Sequence, residues 1–185
     1  MGRQNWRTPP SVFKSIESTL GISFHTDAAS SAENHLCDRY CTDRGNGIEA
    51  GLWIGDVWIN PPFGDIMPWV KVAIEYKKNG IGLSPPSVVL IGPANVSSPW
   101  FQFAIDNASL FLPSRRIQFW HPKEKPGSPD RDTVIFCFSP RTKTNVVRVI
   151  EIPEHANEVR RLWMESQGQK SLFHDRSQLF GGISD

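Results

Sequence analysis

The chain lacks most of the features that would assign it to a broad class directly. No apolar run in its 185 residues approaches the roughly 18 residues that a bilayer-spanning helix needs, so no membrane partner is expected. The opening MGRQNWRTPP holds no apolar core. No secretory signal is therefore expected, and the expected location is the cytoplasm. Cysteine is scarce: Cys37, Cys41 and Cys137 are odd in number and too few for a disulfide framework, which points to reduced thiols in a cytosol. His35 stands near Cys37 and Cys41, but no second Cys/His pair follows at finger spacing, so no metal is expected. Net charge is almost absent, with 20 Lys and Arg against 19 Asp and Glu. Bulk charge therefore does not mark a nucleic-acid binder. Internal repeats and low-complexity tracts are missing as well.

What is present is the material of one folded domain. Hydrophobic residues make up 39% and aromatics 11%, including seven Trp, enough for large core anchors. The expected division is one domain over 1–165 and a polar, flexible tail over 166–185. The even charge balance hides an asymmetry. Between Ser15 and Ile66 there are eight acids and two bases; between Phe111 and Arg148 there are eight bases and three acids. A basic third beside an acidic third suits a polyanion-binding face on a neutral domain, although solvated surface gives the same pattern.

The local patterns alternate between helix and strand. Val12, Phe13, Ile16 and Leu20 fall at helical spacing, with Thr8 as a candidate cap, Pro in the first turn and Gly21 as the natural stop. ISFHTDAAS reads as a short strand running into a turn of small residues at Asp27. GDVWINPPF reads as a strand that Pro61 and Pro62 must end, since neither can donate to a ladder. MPWVKVAIEYKKNG reads as a helix, SVVLIGP as a strand buried on both faces, and SPWFQFAID as a short helix. ASLFLPS, RRIQFWH and DTVIFCFSP read as three more strands, NVVRVIEIP as an edge strand and HANEVRRLWMES as a closing helix. The alternation, with a late antiparallel pair, predicts an α/β sheet.

The stretch with most chemistry is Asn60-Pro61-Pro62-Phe63. Two prolines hold the backbone extended without donors and leave carbonyl oxygens as free acceptors. Asn60 adds another acceptor and Phe63 a flat apolar face. Together they make a socket for a planar group bearing an amine. The strand end is also where open α/β sheets bind ligands.

The neighbouring motifs extend this. Thr8-Pro9, Asp27-Ala28-Ala29-Ser30, Trp53 and Trp58 ahead of Asn60-Pro61-Pro62-Phe63, VVLIGP at 88–93 and Arg116-Ile117-Gln118-Phe119 stand in that order. In this the chain resembles the phage-type DNA N-6-adenine methyltransferases, the Dam-like family, over residues 5–140. The resemblance implies a Rossmann-like methyltransferase sheet and S-adenosylmethionine as methyl donor. It implies catalytic roles for Asn60, Pro61, Pro62 and Phe63, and cofactor contacts from Thr8, Pro9, Asp27, Ala28, Ala29 and Ser30. Asp27 would favour the ammonium end of the methionine moiety and Thr8 its carboxylate. Phe63 would stack on a flipped adenine in double-stranded DNA. Arg115, Arg116, His121, Lys123 and Lys125, with Trp120 among them, would lie on a basic loop near the DNA. The bacterial host's cytoplasm is the location this implies for a phage protein.

Two features depart from the family pattern. Ala-Ala-Ser stands where methyltransferases carry Gly-x-Gly. Asn60 comes only 33 positions after Asp27, tight for the two strands of a full sheet, so a reduced sheet is expected. The acid for the cofactor ribose stays open among Asp43, Glu49 and Asp56. Gln169-Lys170-Ser171-Leu172-Phe173 resembles the peptide that docks bacterial sliding clamps. Two alternatives also remain: methyl transfer to another planar amine (cytosine N-4, RNA adenine, a protein glutamine), or a non-catalytic nucleic-acid-binding domain on the same fold.

Overall fold

Period-two alternation in the central strands decides how the sheet is covered. In the computed structural model, which describes residues 6–42, 47–79, 85–126 and 131–168, α1 (Pro10–Leu20) leads into β1 (Phe24–Ser30) and β2 (Arg39–Thr42). A short 3-10 turn (Ala50–Leu52) precedes β3 (Asp56–Ile59), α2 (Met67–Asn79) and β4 (Val88–Pro93). Then come α3 (Pro99–Ile105), β5 (Ser109–Pro113), β6 (Thr133–Phe138), β7 (Val147–Ile150) and α4 (Ala156–Ser166).

The seven described strands form one sheet in the order β2-β1-β3-β4-β6-β5-β7. β2, β1, β3 and β4 are mutually parallel. β6 runs antiparallel to both β4 and β5, and β5 pairs parallel with β7. The sheet is thus mixed α/β with one reversed strand among those described.

Each central strand feeds two cores. Val57, Ile59, Val88, Leu90, Phe136 and Phe138 face one way and pack with Trp69, Val70 and Ala73 of α2 and Phe101 and Ala104 of α3. Trp58, Val89, Ile91, Ile135 and Cys137 face the other way and pack with Val12, Phe13 and Ile16 of α1. Helices on both faces explain why β4 and β6 read as continuous apolar runs. Helix α1 ends where the sequence predicts, with Gly21 in the left-handed region at φ 63° and its N–H bonded to the Glu17 and Ser18 carbonyls. Its other end differs from expectation. The N-cap is Pro9, and no side chain caps it.

Three other expectations are corrected. RRIQFWH is not a strand of the sheet. Its backbone meets Arg7 through an isolated bridge at Trp120, and the Gln118 N–H donates to His155 Nε2 at 2.9 Å. Ile117 is buried in the α1-side core, so apolar spacing was present without a ladder partner. The antiparallel pair is β5 with β6. The third correction is to the turn expected at Asp27, which lies inside β1. No Gly or Pro interrupts the stretch; β3 pairs with it as far as Asp27, and β2 carries pairing out to Ser30 opposite Thr42.

Gly47 is required by close approach. A Cβ there would enter the carbonyl oxygen of Ala28 and the ring of Trp69, and both residues are buried. Gly51 has nothing within 4 Å. Gly47→Ala is expected to destabilise by about 1–3 kcal/mol, against no more than a few tenths for Gly51→Ala, read from urea unfolding midpoints.

Candidate active site

The parallel strands β1, β3 and β4 point their carboxyl ends to one edge. Asp27 lies opposite Trp58 and Trp58 opposite Val89, so Ala29 and Asn60 stand two residues beyond a shared level. At that edge β3 stops, because Pro61 and Pro62 have no N–H to continue it. Pro61 is buried, while Asn60, Pro62 and Phe63 are half-buried. The Asp65 N–H donates to the Pro62 carbonyl at 3.5 Å, turning the chain into α2. Among the described residues no backbone N–H bonds the Pro61 carbonyl. The Asn60 side-chain Nδ2 donates to the Trp6 carbonyl at 3.0 Å.

Phe63 meets Phe119 edge-on at 6.2 Å and forms one wall of a cleft of about 410 Å³. Pro93, Ala94, Asn95, Trp100, Arg131 and Asp132 complete the lining. The cleft therefore opens beyond the ends of β3 and β4, and its size falls in the range of small-molecule sites. Phe119 closes the quoted Arg116–Phe119 motif, whereas Trp6 and Trp100 belong to this region and were not singled out from sequence. Each stands within seven residues of a quoted motif, and that clustering of aromatics was the available signal.

Asp27 is 4% exposed. Its Oδ2 accepts from the Leu36 N–H at 3.0 Å, and its backbone carbonyl accepts from Ser30 Oγ at 3.1 Å. Burial pushes its carboxyl up to about 6, partly offset by hydrogen bonds from the Leu36 and Ala29 amides. A carboxyl in this position gains most from a cation brought by a ligand. Ala28 is fully buried and Ala29 half-buried, so they present little side chain.

Thr8 is 3% exposed, and its hydroxyl has no hydrogen-bond partner among the described residues. Since it does not cap α1, that hydroxyl is a buried polar group left for something else, and leaving it unmatched costs about 1–3 kcal/mol. Pro9 is buried, and its carbonyl accepts from Val12 and Phe13.

Two of the basic residues are held in ion pairs. Arg115 bonds Glu154 at 2.7 Å, and Arg116 grips Asp132 at 2.7 and 3.4 Å. These exposed pairs contribute little to stability. His121 is half-buried with its ring 5.3 Å from Trp6, and its Nδ1 accepts from the Lys123 N–H at 3.1 Å. Lys123 and Lys125 are exposed. The distal part of the Pro-rich loop, 127–130, and the Gln169–Phe173 motif lie outside the described residues.

Asp56 is removed from the ribose candidates. It sits at the opposite, amino end of β3, bonded to Arg141 Nη2 at 2.9 Å and the Ser87 N–H at 2.6 Å. Glu49 is exposed, and Asp43 lies outside the described residues. His35 stacks on Tyr40 at 4.5 Å, and Cys37, buried beside Asp27, has its thiol pushed up to about 12.

The family model described as DNA N-6-adenine-methyltransferase (Dam) matches residues 1–163. A DNA N-6-adenine-methyltransferase of Escherichia phage T1 is 32% identical over 113 residues, covering 60% of this chain and 44% of that protein. One of Haemophilus phage HP1 is 26% identical over 159 residues, covering 80% of this chain and 89% of that protein. The chain spans less than half of the T1 protein and nearly the whole of the HP1 protein. With the acceptor corner at the end of β3 and a family match across most of its length, the chain belongs to the DNA N-6-adenine-methyltransferase (Dam) family.

Proposed function

We propose that the chain transfers a methyl group from S-adenosylmethionine to the exocyclic N-6 amine of adenine in double-stranded DNA. The observation that supports this is the corner at β3, where the Pro61 carbonyl takes no backbone N–H among the described residues, the Asn60 amide is tied through Nδ2 to the Trp6 carbonyl, and Phe63 lines the adjacent cleft. The strand order, with β6 alone reversed among described strands, supports a Rossmann-like methyltransferase sheet. A single strand, β2, lies outside β1, which supports the reduced form.

The residues present fit S-adenosylmethionine. The orphan hydroxyl of Thr8 suits a carboxylate, and the buried Asp27 suits an ammonium. Ala28, Ala29 and Ser30 would let the backbone approach the group closely. Bound there, it supplies an electrophilic methyl on a sulfonium. Asn60 and Pro61 would accept the two N-6 hydrogens and turn the nitrogen lone pair out of conjugation toward that methyl. Asn60 and Pro61 would hold the amine while the nitrogen–carbon bond formed, and the methyl would leave the bonding electron pair of its carbon–sulfur bond on the donor's sulfur. The nitrogen then sheds a proton to solvent, because neither an amide nor a carbonyl is basic enough to keep it.

A paired adenine has to leave the duplex to reach this corner, at a few kcal/mol. Stacking on Phe63 would return about 1–3 kcal/mol. Holding the amine in line with the methyl supplies much of the rate.

Calorimetry with S-adenosylmethionine, followed by partition of labelled methyl among DNA, RNA and protein, tests this reading. Binding and label in DNA are expected; absence of binding, or label in RNA or protein alone, contradicts it. Lys123 and Lys125 are proposed to meet phosphate. Changing both to Ala is expected to lower the slope of log affinity against log salt by about 2, measured by anisotropy, with kcat at saturating DNA unchanged. An unchanged slope would remove them from the interface.

A further inference from the structure

An asparagine side chain has two ends with opposite needs, a donor NH2 and an acceptor oxygen. At Asn60 the NH2 end meets the Trp6 carbonyl at 3.0 Å. A carbonyl only accepts, so the end facing it has to be the donor, and the amide has one allowed orientation. Oδ1 is thereby turned the other way, with no protein hydrogen bond to it among the described residues.

The Trp6 carbonyl is itself held. The next residue, Arg7, exchanges two backbone bonds with Trp120, at 2.8 and 3.0 Å. The Arg7 guanidinium lies 4.8 Å over the Trp120 ring, and the Trp6 ring packs on His121. Thr8 and Pro9, which follow, are buried. The partner of Asn60 is thus a backbone atom held at its own residue, through the Trp6 ring, and by the three residues that follow.

We propose that the Trp6 backbone carbonyl is a positioning group for methyl transfer, and that it makes asparagine rather than aspartate the working residue at position 60. This rests on the methyl-transfer reading above. The carbonyl takes the amide NH2 and leaves Oδ1 to receive the adenine amine. An aspartate would set a carboxylate oxygen against the Trp6 carbonyl. Two acceptors at that distance repel, so the side chain turns away or binds a proton, and the acceptor geometry toward the amine is lost. Judged on acceptor strength alone the sign reverses, because a carboxylate accepts more strongly than an amide.

The full chain carrying N60D separates these. At saturating DNA and S-adenosylmethionine and pH 8, kcat is expected to fall about 100-fold, the scale of a misplaced reacting group, with the dissociation constants of both unchanged. A kcat equal to or above wild type overturns the proposal, as does a loss confined to KM. A second measurement needs no variant to turn over. In wild-type protein labelled with 15N-asparagine, the Asn60 side-chain amide is expected to give two well-separated proton signals that exchange slowly with water. Rapid exchange typical of a free amide overturns the tie. Should wild type leave no methyl on DNA adenine, the functional reading fails, while the amide signals still decide the orientation.

Discussion

Asn60→Ala is expected to lower kcat by about two to three orders of magnitude, the range for losing one polar group aimed at developing charge, with the fold retained. On the proposed mechanism the truncation would remove one of the two acceptors that turn the adenine amine out of plane, and the Pro61 carbonyl alone would not fix the direction of its lone pair. It also frees the Trp6 carbonyl, which loses one hydrogen bond. Because Asn60 is half-buried, water replaces that bond and stability falls by about 1 kcal/mol at most. Single-turnover kinetics beside a thermal melt check both parts. Near-normal methylation by the variant would remove Asn60 from the chemistry.

Asp27→Asn is expected to move stability and cofactor affinity in opposite directions. The folded carboxyl titrates at about 6, against an ordinary value of 3.8. The folded state therefore holds the proton more tightly than the unfolded chain. Stability from this group is present below the ordinary value, is lost as pH rises toward 6, and above 6 leaves a penalty of about 3 kcal/mol. Asparagine carries no such charge, so the cofactor-free variant should melt higher than wild type at pH 8 and equal to it near pH 4. S-adenosylmethionine binding should weaken about 10–100-fold at pH 8, the scale of a charged hydrogen bond. Wild-type affinity should rise with pH through 6 as Asp27 ionises, and the variant's should not. Melts across pH 4–8 and calorimetry across pH 5–8 read all three, and a variant that binds as well as wild type at pH 8 contradicts the assignment.

The sheet interior was legible because burial on both faces leaves a plain mark. Val88 to Ile91 and Val134 to Phe138 are unbroken apolar runs, and α1 announced its end through Gly21. β2 was not legible. Its four residues, RYCT, include one buried side chain, so the edge strand has no alternation to read. RRIQFWH misled for the opposite reason: Ile117 and Phe119 alternate correctly, but the amides around them go to Arg7 and His155 rather than to a strand. At the site, the proline pair made the acceptor corner visible in one dimension. The Trp6 carbonyl was invisible, since any residue type supplies the same atom. Pro93 to Asn95 and Trp100 reach the cleft through the parallel pairing of β3 with β4, a relation that local sequence does not carry. The burial of Thr8 without a partner likewise emerged only from packing, against an expected helix cap.

The most direct measurement is nucleoside analysis by mass spectrometry of duplex DNA after reaction with wild-type protein and S-adenosylmethionine labelled in its methyl group. N-6-methyl-2′-deoxyadenosine carrying the label is expected, and it should vanish with Asn60→Ala. Label on cytosine N-4, or DNA left unlabelled by protein that binds S-adenosylmethionine, would contradict the assignment of the β3 corner to the adenine amine.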